Sequence, residues 1–380
     1  MKINNSQITI DFYDDSEKVY INFPREDDDI EYDIDELLKL KSLVLTDTER
    51  GRVCTSHITQ FPILGHEYYA AELFTETKRL EYSNAGTEIK IVRNPLILGL
   101  GAVVLGEYSK YCPPCSPYLA LQITYTDTQL RPPLEEEYKL AKAFLFQQSY
   151  LADISIPFSE INDIYFGWDD EDNEETLNEL TEIGELTTYT PGMDLFTRAL
   201  ESADSEIRYL FYYKIIEYYA PIVAKRIANE RITIKLDAIR LKRATSKDID
   251  AILAISNQYK TSQSDKELAQ SVLKAAVDIV DVFPKLPEEI RKKISKEVGF
   301  NQTALTHESN SQIKDKIIDA LGKVLYSTRN SIVHAKSNYT SDNTECSLND
   351  LPEFNRCLKD ITYSIINWYD RLPEHIKYQS

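Results

Sequence analysis

At 380 residues the chain is long enough for two cores rather than one, and its 42% hydrophobic and 28% charged content is that of a globular protein. The first residues, Met1-Lys2-Ile3-Asn4-Asn5-Ser6-Gln7, are too polar for a secretory leader, and the longest apolar run, Pro95 to Gly106, is too short to span a bilayer, so a cytoplasmic chain with no membrane partner is expected. A net charge of −19 would disfavour polyanions if uniform, but residues 1–190 hold 36 acidic and 15 basic side chains against 26 and 28 in residues 191–380, leaving the second half nearly neutral.

The chain opens on strands. Gln7 to Phe12 and Lys18 to Phe23 alternate in polarity around the turn Tyr13-Asp14-Asp15-Ser16-Glu17, which predicts a hairpin. Thr87 to Val92 and Leu119 to Tyr125 read as further strands, and Pro133 to about Gln147 as a helix. Residues 1–165 are therefore expected to form an α+β or mostly β domain. The acidic run Asp169-Asp170-Glu171-Asp172-Asn173-Glu174-Glu175 places a linker over 166–190. From Pro191 the pattern becomes helical: a long aromatic-rich helix over Asp194–Asn229, kinked at Pro221, then a capping box at Ser264–Glu267. A short helix follows Pro287 and ends at Gly299. The last helix carries a stripe of Phe354, Leu358, Ile361, Ile365, Trp368 and Leu372. Residues 191–378 thus read as an all-α bundle, and the whole chain as α+β.

One more helix, Gln312 to Lys336, points its core stripe (Ile313, Ile317, Leu321, Val324, Thr328, Ile332) one way. Tyr326, Arg329, Asn330, Val333 and His334 share an arc of about 140° on the other side, at about 100° per residue. These residue types suit metal-free RNA cleavage. The 2′-hydroxyl must lose a proton, the leaving oxygen must gain one, and the crowded phosphate needs its charge stabilised. Histidine carries protons near neutral pH, arginine offers a planar cationic fork matched to phosphate oxygens, and asparagine can orient either neighbour. On spacing alone the commoner reading is a solvated helix face bearing an ordinary Arg and His.

Tyr326-Ser327-Thr328-Arg329-Asn330-Ser331-Ile332-Val333-His334 resembles the signature of the HEPN superfamily: an Arg followed by a polar residue, with a His four to six residues on. Its Tyr-x-x-Arg-Asn-x-Ile-Val-His form is most similar to Apea-like HEPN proteins of bacteria, and Ile207 to Glu217 resembles that family's first long helix. The resemblance covers about half the chain. It implies a helical-bundle endoribonuclease that needs no metal or other cofactor, with His334 in acid/base work, Arg329 on the phosphate and Asn330 in support. It also implies an RNA substrate rather than DNA, a homodimer through the C-terminal bundle with a shared site, and a role in phage defence or as a toxin-like effector. The alternative is a non-catalytic HEPN module that only binds RNA or a partner. The acidic first half, repelling RNA, is expected to restrain the second.

Weaker constellations are weighed beside this one. Cys54 and His57, with Cys112 and Cys115, supply four zinc-type ligands, although two unrelated pairs are the commoner outcome over so long a gap. Gly99-Leu100-Gly101 to Gly106 lacks the spacing of a nucleotide loop and reads as a packed apolar segment. Glu217 could orient Arg329 across the bundle or simply face solvent among Tyr212, Tyr213, Tyr218 and Tyr219. His307 and His375 sit near helix ends and read as structural or exposed.

Overall fold

The computed structural model describes residues 2–4, 7–10, 19–22, 44–63, 79–93, 95–107, 119–161, 180–240, 245–260, 264–302, 305–334 and 343–377. The chain divides into two compact units, Met1–Tyr189 and Thr190–Ser380. The acidic run 169–175 and Cys112 and Cys115 lie outside the described residues.

The first unit is built on a seven-stranded sheet. In chain order its strands are β4 (Asp47–Glu49), β5 (Arg52–Cys54), β6 (Ile58–Ile63), β7 (Arg79–Asn84), β8 (Thr87–Arg93), β9 (Leu119–Tyr125) and β10 (Leu180–Ile183), arranged as β10-β7-β8-β9-β6-β5-β4. The opening segments β1 (Lys2–Asn4), β2 (Gln7–Ile10) and β3 (Val19–Asn22) make a separate antiparallel sheet, in which Gln7 pairs Asn22 as the hairpin pattern predicts. Alternation along β9 decides which face each residue enters. Leu119, Leu121, Ile123 and Tyr125 join the core that also holds Phe61, Ile89 and Phe144, the last from helix α2 (Leu134–Ala152). Ala120 enters the opposite core with Val53 and with Ile97, Leu98 and Ala102 of helix α1 (Leu96–Leu105). Both faces of the sheet are therefore covered by a helix.

Helix α1 is the apolar run that begins at Pro95. Its first turn is held by Gln60, whose Oε1 accepts from Leu98 N at 2.8 Å. Gly101 lies against Val53 with no room for a Cβ, so this glycine serves close helix–strand packing, not a phosphate. Residues 180–183 correct the linker expectation. They pair in parallel with β7, Leu180 opposite Arg79, so the first unit runs past its acidic segment to take an edge strand from it.

The same core holds a buried acidic side chain. Glu137, in the first turn of α2, has no solvent exposure. It accepts from Thr59 Oγ1 at 2.6 Å and Tyr125 OH at 3.0 Å, and lies 3.3 Å from Arg131 Nε and 3.6 Å from Arg52 Nη1. Arg52 also pairs with Asp47. Burial, then the Glu137 carboxylate, pushes the Tyr125 phenol far above its ordinary range.

Among the described residues the second unit has no strand. Its helices are α3 (Pro191–Glu201), α4 (Ser205–Arg240), α5 (Ser246–Lys260), α6 (Asp265–Ala276), α7 (Ile279–Val282), α8 (Glu288–Val298), α9 (Ser311–His334) and α10 (Leu351–Asp370). The single helix expected over 194–229 is two. The break comes where the Asp204 carboxylate accepts from Glu206 N and Ile207 N, at 2.8 and 3.0 Å, and so caps a new helix. That new helix passes Pro221 and runs to Arg240. The Ser264–Glu267 capping box forms as predicted, worth on the order of 1 kcal/mol to α6, and Gly299 closes α8 with φ of +73°. The bundle core joins Tyr209, Tyr212, Ile215, Ile216 and Tyr219 of α4 to Leu321, Val324 and Leu325 of α9 and Phe354, Leu358, Ile361 and Ile365 of α10. Ile313, expected in the core stripe of α9, is exposed in its first turn. No helix among the described residues is long and apolar enough to cross a membrane.

Candidate active site

Helix α9 carries Arg329, Asn330 and His334 within its last two turns. Its inner side is fixed first. Ile317, Leu321, Val324 and Leu325 are buried, and the Tyr209 hydroxyl donates to the Leu325 carbonyl at 2.6 Å. Thr328 is buried immediately before Arg329. Its hydroxyl donates to Val324 O at 2.7 Å and accepts from Cys346 N at 2.9 Å, which ties the returning chain to the helix. With Thr328 turned inward, Arg329 and Asn330 come to the half-buried flank and His334 to the exposed end. Arg329 Nη1 donates to Asn330 Oδ1 at 3.1 Å. The amide thus steadies the guanidinium. His334 lies five residues on, about 7.5 Å further along the helix axis at 1.5 Å per residue.

Helix α4 supplies the wall facing Arg329. Tyr209, Tyr213 and Glu217 recur every four residues and therefore share one stripe. The Tyr209 and Tyr213 rings stack with centroids 6.4 Å apart. The Tyr213 hydroxyl is buried without a hydrogen-bond partner. Burial, then the neighbouring Glu217 carboxylate, raises its pKa, and Arg329 opposes the rise. Glu217 lies at the exposed edge of this cluster. Partial desolvation raises its carboxyl pKa, with Asp265 adding to the rise and the Arg329 guanidinium opposing it. Asp265, in the first turn of α6, belongs to the same electrostatic group. Of the flanking residues, Glu217 was legible in the sequence. Tyr213 and Asp265 were not singled out, although the four-residue spacing of Tyr209, Tyr213 and Glu217 was the available clue.

A carboxyl whose folded pKa is raised favours folding only while it is protonated. That contribution is present below the ordinary value of 4.5 and is lost as the pH rises through the raised one. Glu217→Gln is therefore expected to match or exceed wild type in thermal stability at pH 7, the difference closing as the pH falls below 4.5. Melting curves at pH 7 and pH 4 check this. A variant destabilised at pH 7 and not at pH 4 would show that the pairing with Arg329 outweighs desolvation.

Among the described residues the remaining sequence candidates do not converge. His57 Nδ1 lies 3.1 Å from the Tyr125 carbonyl, and buried Cys54 points its Sγ at Thr59 Oγ1, 3.7 Å away. Among the described residues no three His, Cys, Asp or Glu side chains gather as a metal site. Cys346 and Cys357 are buried, which pushes both thiols up to about 12, far from a reactive thiolate. His307 faces Asp278 and Asp281 at 3.5 and 3.7 Å on the surface, and His375 is exposed. No family model, curated protein or solved structure matches this chain.

Proposed function

We propose that the second unit is a metal-independent endoribonuclease of the HEPN type, with Arg329, Asn330 and His334 as its catalytic residues. The observation that supports this most directly is the Arg329–Asn330 pair, hydrogen-bonded on the half-buried flank of α9, with a histidine at the exposed end of the same helix. All three side chains lie off the buried stripe of α9, and the charge of the guanidinium acts on Tyr213 and Glu217 of α4.

The chemistry follows from the residue types. The 2′-oxygen of a ribose attacks the adjacent phosphorus, losing its proton to an imidazole. The bond from phosphorus to the 5′-oxygen breaks, that oxygen takes up a proton, and the products are a 2′,3′-cyclic phosphate and a 5′-hydroxyl. Arg329 pairs its fork with the non-bridging oxygens as negative charge gathers on them. His334 serves as proton carrier, and a second copy of the chain supplies the second imidazole, so the active form is a homodimer with a shared site. The excess acidity of residues 1–190 opposes the approach of polyanions, which fits a nuclease held in check until triggered, as a phage-defence or toxin-like effector in the cytoplasm would be.

Total RNA and transfer RNA, incubated with the full-length protein in EDTA, should be cut to fragments ending in 2′,3′-cyclic phosphate. Saturable RNA binding with no cleavage, in a preparation shown to be dimeric and folded, would instead favour a non-catalytic RNA-binding module.

A further inference from the structure

Helix α4 leads two lives. From Ser205 to Val223 it is packed into the bundle, and Val223 is its last buried residue. From residue 224 to Arg240, and on through residue 255 of α5, no described residue is buried. The bundle ends where this exposed stretch starts. Tyr219 meets Tyr369 and Arg226 lies over Trp368, both rings belonging to the last turn of α10. Helix α9 runs the same way as α4, since Tyr209 bonds Leu325 while Glu217, two turns on, senses Arg329. The exposed part of α4 therefore projects from the end of the bundle that carries the motif. Its seventeen residues, 224–240, extend about 26 Å at 1.5 Å per residue. Helix α5 packs back along it, and only four residues separate Lys260 from Asp265 at the motif. The arm leaves the bundle two turns past Glu217 and returns to it at Asp265, whose charge acts on Glu217 as that of Arg329 does.

The arm is also the basic part of an acidic chain. Residues 224–260 hold nine Lys and Arg against four Asp and Glu, an excess of five in a chain whose net charge is −19. Lys235, Arg240 and Lys247 are exposed on it. Ile234, Leu236, Ile249 and Leu253 are exposed there too, and would suit contact with a second arm, but two arms brought together would oppose five excess cations with five more. An anionic occupant relieves that charge. Resting on the nuclease reading above, we propose that the exposed part of α4 (224–240) and the α5 helix that packs on it form a phosphate-binding arm that holds the RNA strand flanking the scissile bond. A length of about 26 Å matches some seven or eight phosphates at about 3.4 Å per nucleotide. The arm reads backbone and not sequence, so it selects substrates by the strand they present on one side of the cut.

The test separates binding from cleavage. A fluorescent oligoribonucleotide that is 2′-O-methylated throughout cannot be cut at the 2′-oxygen, and its affinity for the full-length protein is measured by anisotropy across a salt series. Wild type should bind with a steep salt dependence. Lys235→Gln/Arg240→Gln/Lys247→Gln should bind on the order of tenfold more weakly at physiological salt, with the log–log slope shallower by about two, since each lost single-strand phosphate contact removes about 0.7. All three side chains are exposed, so the fold is spared, and unchanged circular dichroism verifies that. An affinity and slope equal to wild type overturn the arm, while cleavage of ordinary RNA by the same variant leaves the nuclease reading standing. Wild type that cuts RNA yet fails to bind the methylated strand also overturns the arm alone. Wild type that neither cuts RNA nor binds the methylated strand removes both readings. If Ile249→Ser/Leu253→Ser turns a dimer into monomers while the triple variant keeps its RNA affinity, the arm is a self-association surface and the proposal fails.

Discussion

His334→Ala is expected to slow RNA cleavage in EDTA by about 10²- to 10⁴-fold, the usual share of a positioned proton carrier. Arg329→Ala should cost about 10²- to 10³-fold, the usual effect of removing one stabiliser of transition-state charge. Both should fold as wild type does. His334 is exposed at the end of α9 and Arg329 lies on its half-buried flank, while the register of the helix is set by buried Leu321, Val324, Leu325 and Thr328. The loss should appear in kcat and not in thermal stability. Arg329→Lys sharpens the result. It keeps the charge but loses the planar fork and the geometry of the bond to Asn330, so it should recover little activity. Rates on one transfer RNA, measured beside melting curves of the same preparations, decide the matter. Cleavage at the wild-type rate by either alanine variant would remove that residue from the chemistry.

The largest stability effect is expected far from that motif, at Glu137→Ala. The carboxylate is fully buried and answers two guanidinium groups, a phenol and a hydroxyl. Removing it leaves buried Arg52, with only the more exposed Asp47 to answer it, and partly buried Arg131 without their shared counter-charge, at a cost of about 3–5 kcal/mol. For a unit of this size that corresponds to a drop of roughly 10 °C in Tm. Glu137→Gln keeps the shape and can still accept from Thr59 and Tyr125, so it should lose less. The check is calorimetry of the full-length protein, in which the transition of the first unit should move and that of the helical unit should stay. A change below about 1 kcal/mol for the alanine variant would mean that water reaches the two arginines.

Much of the second unit was legible because its determinants are local. A capping box needs four consecutive residues, Gly299 needs only a left-handed turn after an amphipathic run, and the stripe from Phe354 to Trp368 repeats at helical spacing. Residues 180–183 were misassigned for the opposite reason. Their partner is β7, about a hundred residues earlier, and four residues of mixed polarity after an acidic run carry no mark of an edge strand. The break at Asp204 was written in the sequence as a cap but was masked by aromatic periodicity on both sides. The reach of α4 beyond Asn229 was invisible to a search for core stripes, because nothing there is buried. For the candidate site, the motif itself stood out, yet its wall did not. Tyr213, Asp265 and Arg329 join one electrostatic group only once α4, α6 and α9 are packed together.

The bond from Cys346 N to Thr328 Oγ1 has a consequence for how this chain can vary. It fastens the two ends of an eighteen-residue excursion at a point directly behind Arg329, so the excursion begins and ends at one knot. Lengthening a closed segment costs little, about 0.6 kcal/mol per doubling. Insertions beyond His334 should therefore be absorbed without turning the guanidinium. Variation after His334 should leave the aim of Arg329 to that knot.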